Sequence, residues 1–240
     1  MISKNQIKFV KQLEQKKYRQ REGAFVAEGP KVVGDLLMAK YSPIHLFATE
    51  EWATANNKQD CLIVTPDELR KLSFLQHPQQ VLAVFRMPSY SKLQTSSLTL
   101  ALDGIQDPGN LGTIIRIADW FGINAIVCSE DTADAWNPKV VQATMGSIAR
   151  VSMIYTNLEE YLSHTTLPVC GTLLDGDNIY TQKLPHEAII VMGNEGNGIS
   201  PAIRQMVTHR LLIPQFRPGA ESLNVAIATA ITCSEFRRRS

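Results

Sequence analysis

The sequence predicts an α/β protein in two successive blocks, the second built on a parallel sheet covered by helices on both faces. Three observations carry this. From Leu98 onward, short apolar runs recur: "LTLALD", "AIVCSE", "VSMIY", "VCGTLL", "AIIVM" and "RLLIP". They are continuous instead of alternating with polar residues, the pattern of strands buried on both faces. Helix-opening residues stand between them, with helices expected after Asn110, Pro138, Asn157, Ser200 and Ser222.

The first block, residues 1–88, has shorter elements. A basic helix is expected over Lys4 to Lys17, then a strand "AFVAEG" and a helix "PKVVGDLLMAK" with Pro30 in its first turn. "IHLFAT", "CLIVT" and "VLAVFR" read as further strands. "PDELRKLSF" reads as a helix whose Asp67 and Glu68 suit the positive end of its dipole. The polar, Ser-rich stretch at residues 89–97 has no apolar period and reads as a linker, leaving 98–240 as the second domain.

Chemistry concentrates at three strand-to-loop junctions of the second block, where open parallel sheets bind ligands. In "DGIQDPGNLGTIIRIADWFG", Asn110 is a candidate helix cap and Arg116 sits on a largely apolar helix. An arginine there is costly unless it is paired or faces a cleft. In "VMGNEGNGIS", an apolar run stops at a loop of three glycines with one carboxylate, Glu195. Glycines permit close backbone approach to a ligand. The loop is neither the dinucleotide GxGxxG nor a phosphate loop. In "IPQFRPGAESLNVAIATAITCSEF", Ser222 is a candidate cap and Asn224 lies beside it, ahead of an apolar helix of small residues.

In this order, "NLGTIIR", "MGNEGNGIS" and "IPQFRPGAESLNVAIA" resemble the three signature motifs of the SpoU (TrmH-like) RNA ribose 2′-O-methyltransferases of the SPOUT superfamily. "FVAEGPKVV" and "VLAVF" are similar to that family's L30e-like substrate-binding domain. Three positions depart from the common pattern: Ile117 stands in place of Thr, Gln215 in place of Met, and Gln80 where a Gly often precedes the last strand. The resemblance implies a deep trefoil knot, where elementary topology alone predicts an unknotted, doubly wound sheet.

The resemblance also implies S-adenosylmethionine as cofactor, in a pocket formed by Thr172, Leu173, Leu174, Gly193, Asn194, Glu195, Gly196, Ile213, Gln215, Ser222 and Leu223. The reaction it implies is attack of a ribose 2′-oxygen on the activated methyl, without a metal. Arg116 matches the catalytic arginine. Because arginine does not deprotonate in proteins, its role is expected to be binding phosphate and stabilising the developing alkoxide. Glu195 is expected to hold Arg116 or a substrate hydroxyl, and Asn110, Ser222 and Asn224 to bond Arg116 or the target nucleotide. Homodimers with a shared site are implied as well. The alternatives are a non-catalytic RNA-binding or ribosome-assembly factor that keeps the fold, and a knotted methyltransferase acting on a base nitrogen.

Net charge is +1 over 240 residues, so bulk charge selects no partner. The first 21 residues, however, carry Lys4, Lys8, Lys11, Lys16, Lys17, Arg19 and Arg21 against Glu14 alone, a basic patch suited to RNA. Cys61, Cys128, Cys170 and Cys233 form no CxxC pair and read as residues of a reducing compartment. The start "MISKNQIKFVKQ" has no signal-peptide pattern, so a cytoplasmic protein is expected. The five histidines are scattered, Trp52 and Trp120 are expected to pack, Trp136 could face RNA, and "LDGDN" reads as a turn.

Overall fold

A computed structural model describes residues 2–58, 60–88, 97–217, 219 and 221–238. The expected linker falls almost wholly outside them. The chain forms two compact units, Met1–Ser89 with Asp134–Ala149, and Tyr90–Ala133 with Arg150–Ser240.

The expected single N-terminal helix is two, α1 (Lys4–Gln12) and α2 (Lys16–Glu22). Ser3 and Gln6 form a capping box at the start of α1. The break has a clear cause. Leu13 is fully buried, and the Arg19 guanidinium donates to the carbonyls of Leu13 (2.8 Å) and Glu14 (2.6 Å) just after α1 ends. Helix ends leave such carbonyls without partners, and a side chain that satisfies them stabilises the stop.

The first unit continues through β1 (Ala24–Glu28), α3 (Pro30–Met38), β2 (Pro43–Ala48), α4 (Glu50–Ala55), β3 (Leu62–Ile63), α5 (Pro66–Leu72) and β4 (Val81–Arg86). Its sheet has the order β1-β4-β2-β3. The sequence reading missed α4, which Thr49 caps while Glu50 and Glu51 fill its first turn. Val10, Leu13, Val26, Phe47, Leu72 and Val84 share one core.

The second unit opens with β5 (Leu98–Asp103), α6 (Pro108–Trp120) and β6 (Ala125–Cys128). Residues 134–149, with α7 (Pro138–Ala143), belong to the first unit. There Trp136 is buried with its ring 4.6 Å from that of Phe25, so it is a core residue and does not face RNA. Asp134 pairs with Arg19 at 2.5 Å. The second unit resumes with β7 (Ser152–Tyr155), α8 (Leu158–Ser163), β8 (Val169–Asn178), β9 (Ala188–Gly193), α9 (Pro201–Met206), β10 (His209–Leu212) and α10 (Val225–Arg238). Every strand pair in its sheet is parallel, in the order β10-β8-β9-β5-β6-β7.

Burial pushes the thiols of Cys170 and Cys233 up to about 12 and raises that of Cys128 as well. All four cysteines are unpaired. Trp52 packs as expected, but Trp120 is 85% exposed.

Candidate active site

The three singled-out junctions meet at the carboxyl ends of β5 and β9, which run in register with Asp103 opposite Gly193. Two bonds tie the loops that follow. Asp103 accepts from the Ser200 N–H at 2.7 Å, and the Asn194 amide donates to the Gly104 carbonyl at 2.6 Å. The glycine-rich loop is a tight reversal in which the backbones of Asn194 and Gly198 exchange two 2.9 Å bonds. The Asn194 side-chain oxygen accepts from the N–H groups of Gly196 and Asn197. A Cβ on Gly193 would stand 2.2 Å from the Gly198 carbonyl carbon, and Gly198 has a φ of +69°. Only glycine fits the first position, and the second favours it strongly.

Asn110 is not the cap of α6. Asp107 is: its carboxylate accepts from the Asn110 N–H at 2.7 Å, with Pro108 as the first helical residue. The Asn110 side chain is thereby free for other work. Its amide nitrogen donates to Glu195 at 3.1 Å, and its oxygen accepts from the Asn224 amide at 2.9 Å. The N–H groups of Gln106 and Asp107 also point at the Glu195 carboxylate, both at 3.4 Å. Asn224 in turn caps α10, accepting from the N–H of Ala226 at 2.9 Å and of Ile227 at 3.3 Å. That role was expected of Ser222, which is exposed and makes no hydrogen bond among the described residues.

One side-chain chain, Asn224–Asn110–Glu195, therefore links all three sequence motifs. Arg116 stands apart from it. It is exposed on α6, whose buried face is Leu111, Ile114, Ile115 and Ala118, and it makes no hydrogen bond or ion pair among the described residues. Glu195 is held by Asn110 and backbone; of the two partners expected for it, Arg116 or a substrate hydroxyl, it does not bond Arg116 among the described residues.

The residues expected to hold a cofactor lie on β8, in the glycine-rich loop and on the segment between β10 and α10. β8 stays a strand to Asn178 but its register against β10 shifts by a bulge: Arg210 faces Gly171 and Leu211 faces Asp177, so Thr172 to Gly176 face no β10 residue. The bulge buries Leu173 and leaves Leu174 75% exposed. Thr172 donates to the Val191 carbonyl at 3.3 Å. Asp175, read as part of a turn, instead pairs with Arg204 and lies 3.7 Å from Arg210. Leu223 is half exposed, Gln215 is exposed and Ile213 is partly buried. Backbone polar groups, a fixed carboxylate and exposed leucines suit a ligand with an apolar ring and a cationic centre.

Among the basic residues of the first unit, Lys4, Lys8, Lys16, Lys17 and Arg21 are exposed. Lys11 donates to the Ser73 carbonyl at 2.5 Å and lies over the Phe74 ring. Arg19 is 1% exposed and bonded to Asp134, Leu13 and Glu14, so it cannot contact RNA.

Residues 97–234 match the model of the SpoU rRNA Methylase family, and residues 4–83 match an MRM3-like substrate binding domain. The 23S rRNA (guanosine(2553)-2′-O)-methyltransferase of Bacillus subtilis is 33% identical, over 98% of this chain and 97% of its own. A solved TrmH-family protein from Porphyromonas gingivalis is 46% identical with a TM-score of 0.92, covering 100% of both chains. An AdoMet-bound rRNA methyltransferase from Sinorhizobium meliloti is 31% identical with a TM-score of 0.87, over 99% of this chain and 96% of its own.

Proposed function

Because this chain belongs to the SpoU rRNA methylase family, we propose that it transfers a methyl group from S-adenosylmethionine to a ribose 2′-hydroxyl of ribosomal RNA. The observation that carries this reading is the Asn224–Asn110–Glu195 chain, which joins three distant motifs at the carboxyl ends of the strands. Likeness to relatives that act on 23S rRNA and bind AdoMet supports the substrate and cofactor.

The cofactor would lie against the Gly193–Gly198 loop, the bulge at Thr172 to Leu174, and Ile213, Gln215 and Leu223. When bound, it supplies an activated methyl on a sulfonium. The protein's part is to place the hydroxyl and stabilise charge. Arg116, exposed and without a partner among the described residues, would take the target phosphate and offset the charge that develops on the 2′-oxygen. Glu195 and the two asparagines would fix the nucleotide and the glycine loop relative to one another.

Three finer features belong to the same proposal. Self-association is supported by the outward faces of α6 and α10, where Trp120 is 85% and Ile227 is 52% exposed. A trefoil knot is supported by family membership. A cytoplasmic place is supported by relatives that modify ribosomal RNA.

The test is methyl transfer from labelled cofactor to a 23S rRNA transcript, followed by alkali. A 2′-O-methyl group blocks alkaline cleavage, so the label must emerge in alkali-resistant dinucleotides. Label in mononucleotides would mean base methylation, and no label in any fraction would favour a non-catalytic RNA-binding role.

A further inference from the structure

The first unit holds a cavity of about 540 Å³ walled by Pro30, Pro66, Leu69, Pro78, Gln79 and Gln80. It opens where β1 and β2 end and β4 begins. Gly29 bonds the Val81 carbonyl at 2.9 Å and Thr49 bonds the Gln80 carbonyl at 2.8 Å, so this part of the wall is fixed by backbone. The volume falls in the roughly 300–1,000 Å³ range of small-ligand pockets.

Gln80 is the unusual member. Its φ is +40°, a left-handed backbone that a residue with a Cβ avoids. The other non-glycine residues with positive φ, Lys40, Asn57 and Met145, each follow the C-cap of a helix, where that conformation is common. Gln80 has no helix before it. Glycine would remove the strain at this position, yet the chain carries a side chain with both a donor and an acceptor. Backbone strain of this kind is a reason to look for function. The neighbouring Gln79 points its amide oxygen to within 3.8 Å of where a Gly29 Cβ would be. Neither glutamine side chain has a hydrogen-bond partner among the described residues.

The chemistry of the lining selects the ligand. It has one carboxylate, Glu51, and one cation, Arg70, which is paired with Asp67 at 2.7 Å. That does not suit a phosphate, and a single carboxylate does not suit a metal ion. Three pyrrolidine rings and Leu69 offer flat apolar walls, and two amides offer donors and acceptors side by side. Resting on the RNA-methyltransferase reading above, we propose that this cavity receives one unstacked nucleobase of the RNA substrate. Its faces lie against the proline rings and its edge bonds the amides of Gln79 and Gln80. Single-stranded bases are read in this way, by their faces and edges together.

The experiment compares wild type with Gln80→Gly and with the double variant Gln79→Ala, Gln80→Gly. Binding to a 23S rRNA transcript is measured across a salt series, together with thermal midpoint and S-adenosylmethionine binding. Removing a hydrogen bond to a base edge weakens affinity by roughly tenfold. Because every phosphate stays neutralised as before, the slope of log affinity on log salt stays that of wild type. The thermal midpoint of Gln80→Gly stays level or rises, and cofactor binding is unchanged. Wild-type RNA affinity in the double variant would overturn the proposal, as would a shallower slope, which would mean that the glutamines engage phosphate instead of a base. A wild-type protein that neither binds nor methylates the transcript would instead count against the function itself.

Discussion

Arg116 and Arg19 both sit on helices, and their surroundings send them to opposite roles. Arg116 is exposed and has no partner among the described residues. Arg116→Ala should therefore leave folding and cofactor binding nearly intact while slowing methyl transfer by roughly 100- to 1,000-fold, the usual effect of losing one preorganised charge stabiliser. Single-turnover rates at saturating RNA and cofactor check this, and a wild-type rate would remove Arg116 from the mechanism. Arg19 is buried, with Asp134 13% exposed opposite it. Arg19→Ala removes the charge partner of a mostly buried carboxylate, which keeps only the Trp136 N–H, and leaves the Leu13 and Glu14 carbonyls without that donor, so it should cost about 3–5 kcal/mol of stability. Chemical denaturation reads that loss, and a variant as stable as wild type but weaker on RNA would restore Arg19 to the RNA surface. The sequence placed Arg116 on an apolar helix correctly. It could not separate Arg19 from its basic neighbours, because its partner is more than a hundred residues away. The cap of α6 was legible and misassigned: Pro108 at the first helical position already marked Asp107 as the cap.

At the scale of elements, the basic patch is smaller than its sequence suggests. Only Lys4, Lys8, Lys16, Lys17 and Arg21 project from α1 and α2, and Tyr18 lies between Lys17 and Arg21, with the two cations 4.9 and 4.8 Å from its ring centre. Replacing Lys4, Lys8 and Lys16 by Gln should flatten the salt dependence of RNA binding, by about one unit of slope for each phosphate no longer neutralised. Lys11→Gln should do much less, because its ammonium is already bonded to the Ser73 carbonyl. Equal slopes in the triple variant and wild type would make the patch a solvated face. The strands of the parallel sheet were legible because burial on both faces writes continuous apolar runs. The bulge in β8 was not, since "VCGTLL" reads as a strand and "LDGDN" as a turn, with no sign that the strand runs on to Asn178 while its register against β10 shifts. Sequence periodicity carries no information on which partner residue a strand meets.

At the scale of the whole chain, a single boundary at a polar linker is a natural sequence reading, and composition gives no sign that residues 134–149 group with the first unit. The segment "DAWNPKVVQATMGSIA" looks like one more helix of the parallel-sheet block. Its buried residues include Trp136, Val140, Val141 and Ile148, and Gly146 sits so close to the buried Asp35 that an added Cβ would meet that carboxylate. A chain beginning near Leu98 keeps every member of the Asn224–Asn110–Glu195 chain and the glycine loop, and should still bind S-adenosylmethionine. It loses the surface that covers residues 134–149 and leaves Asp134 without Arg19. Those residues should then open. In hydrogen exchange, amides of α7 protected in the full chain should exchange rapidly in the shortened one, while those of β5 and β9 stay protected. Full protection of α7 in the shortened chain would mean that the segment is held by its own structure, and that the first unit can be removed without consequence for the second.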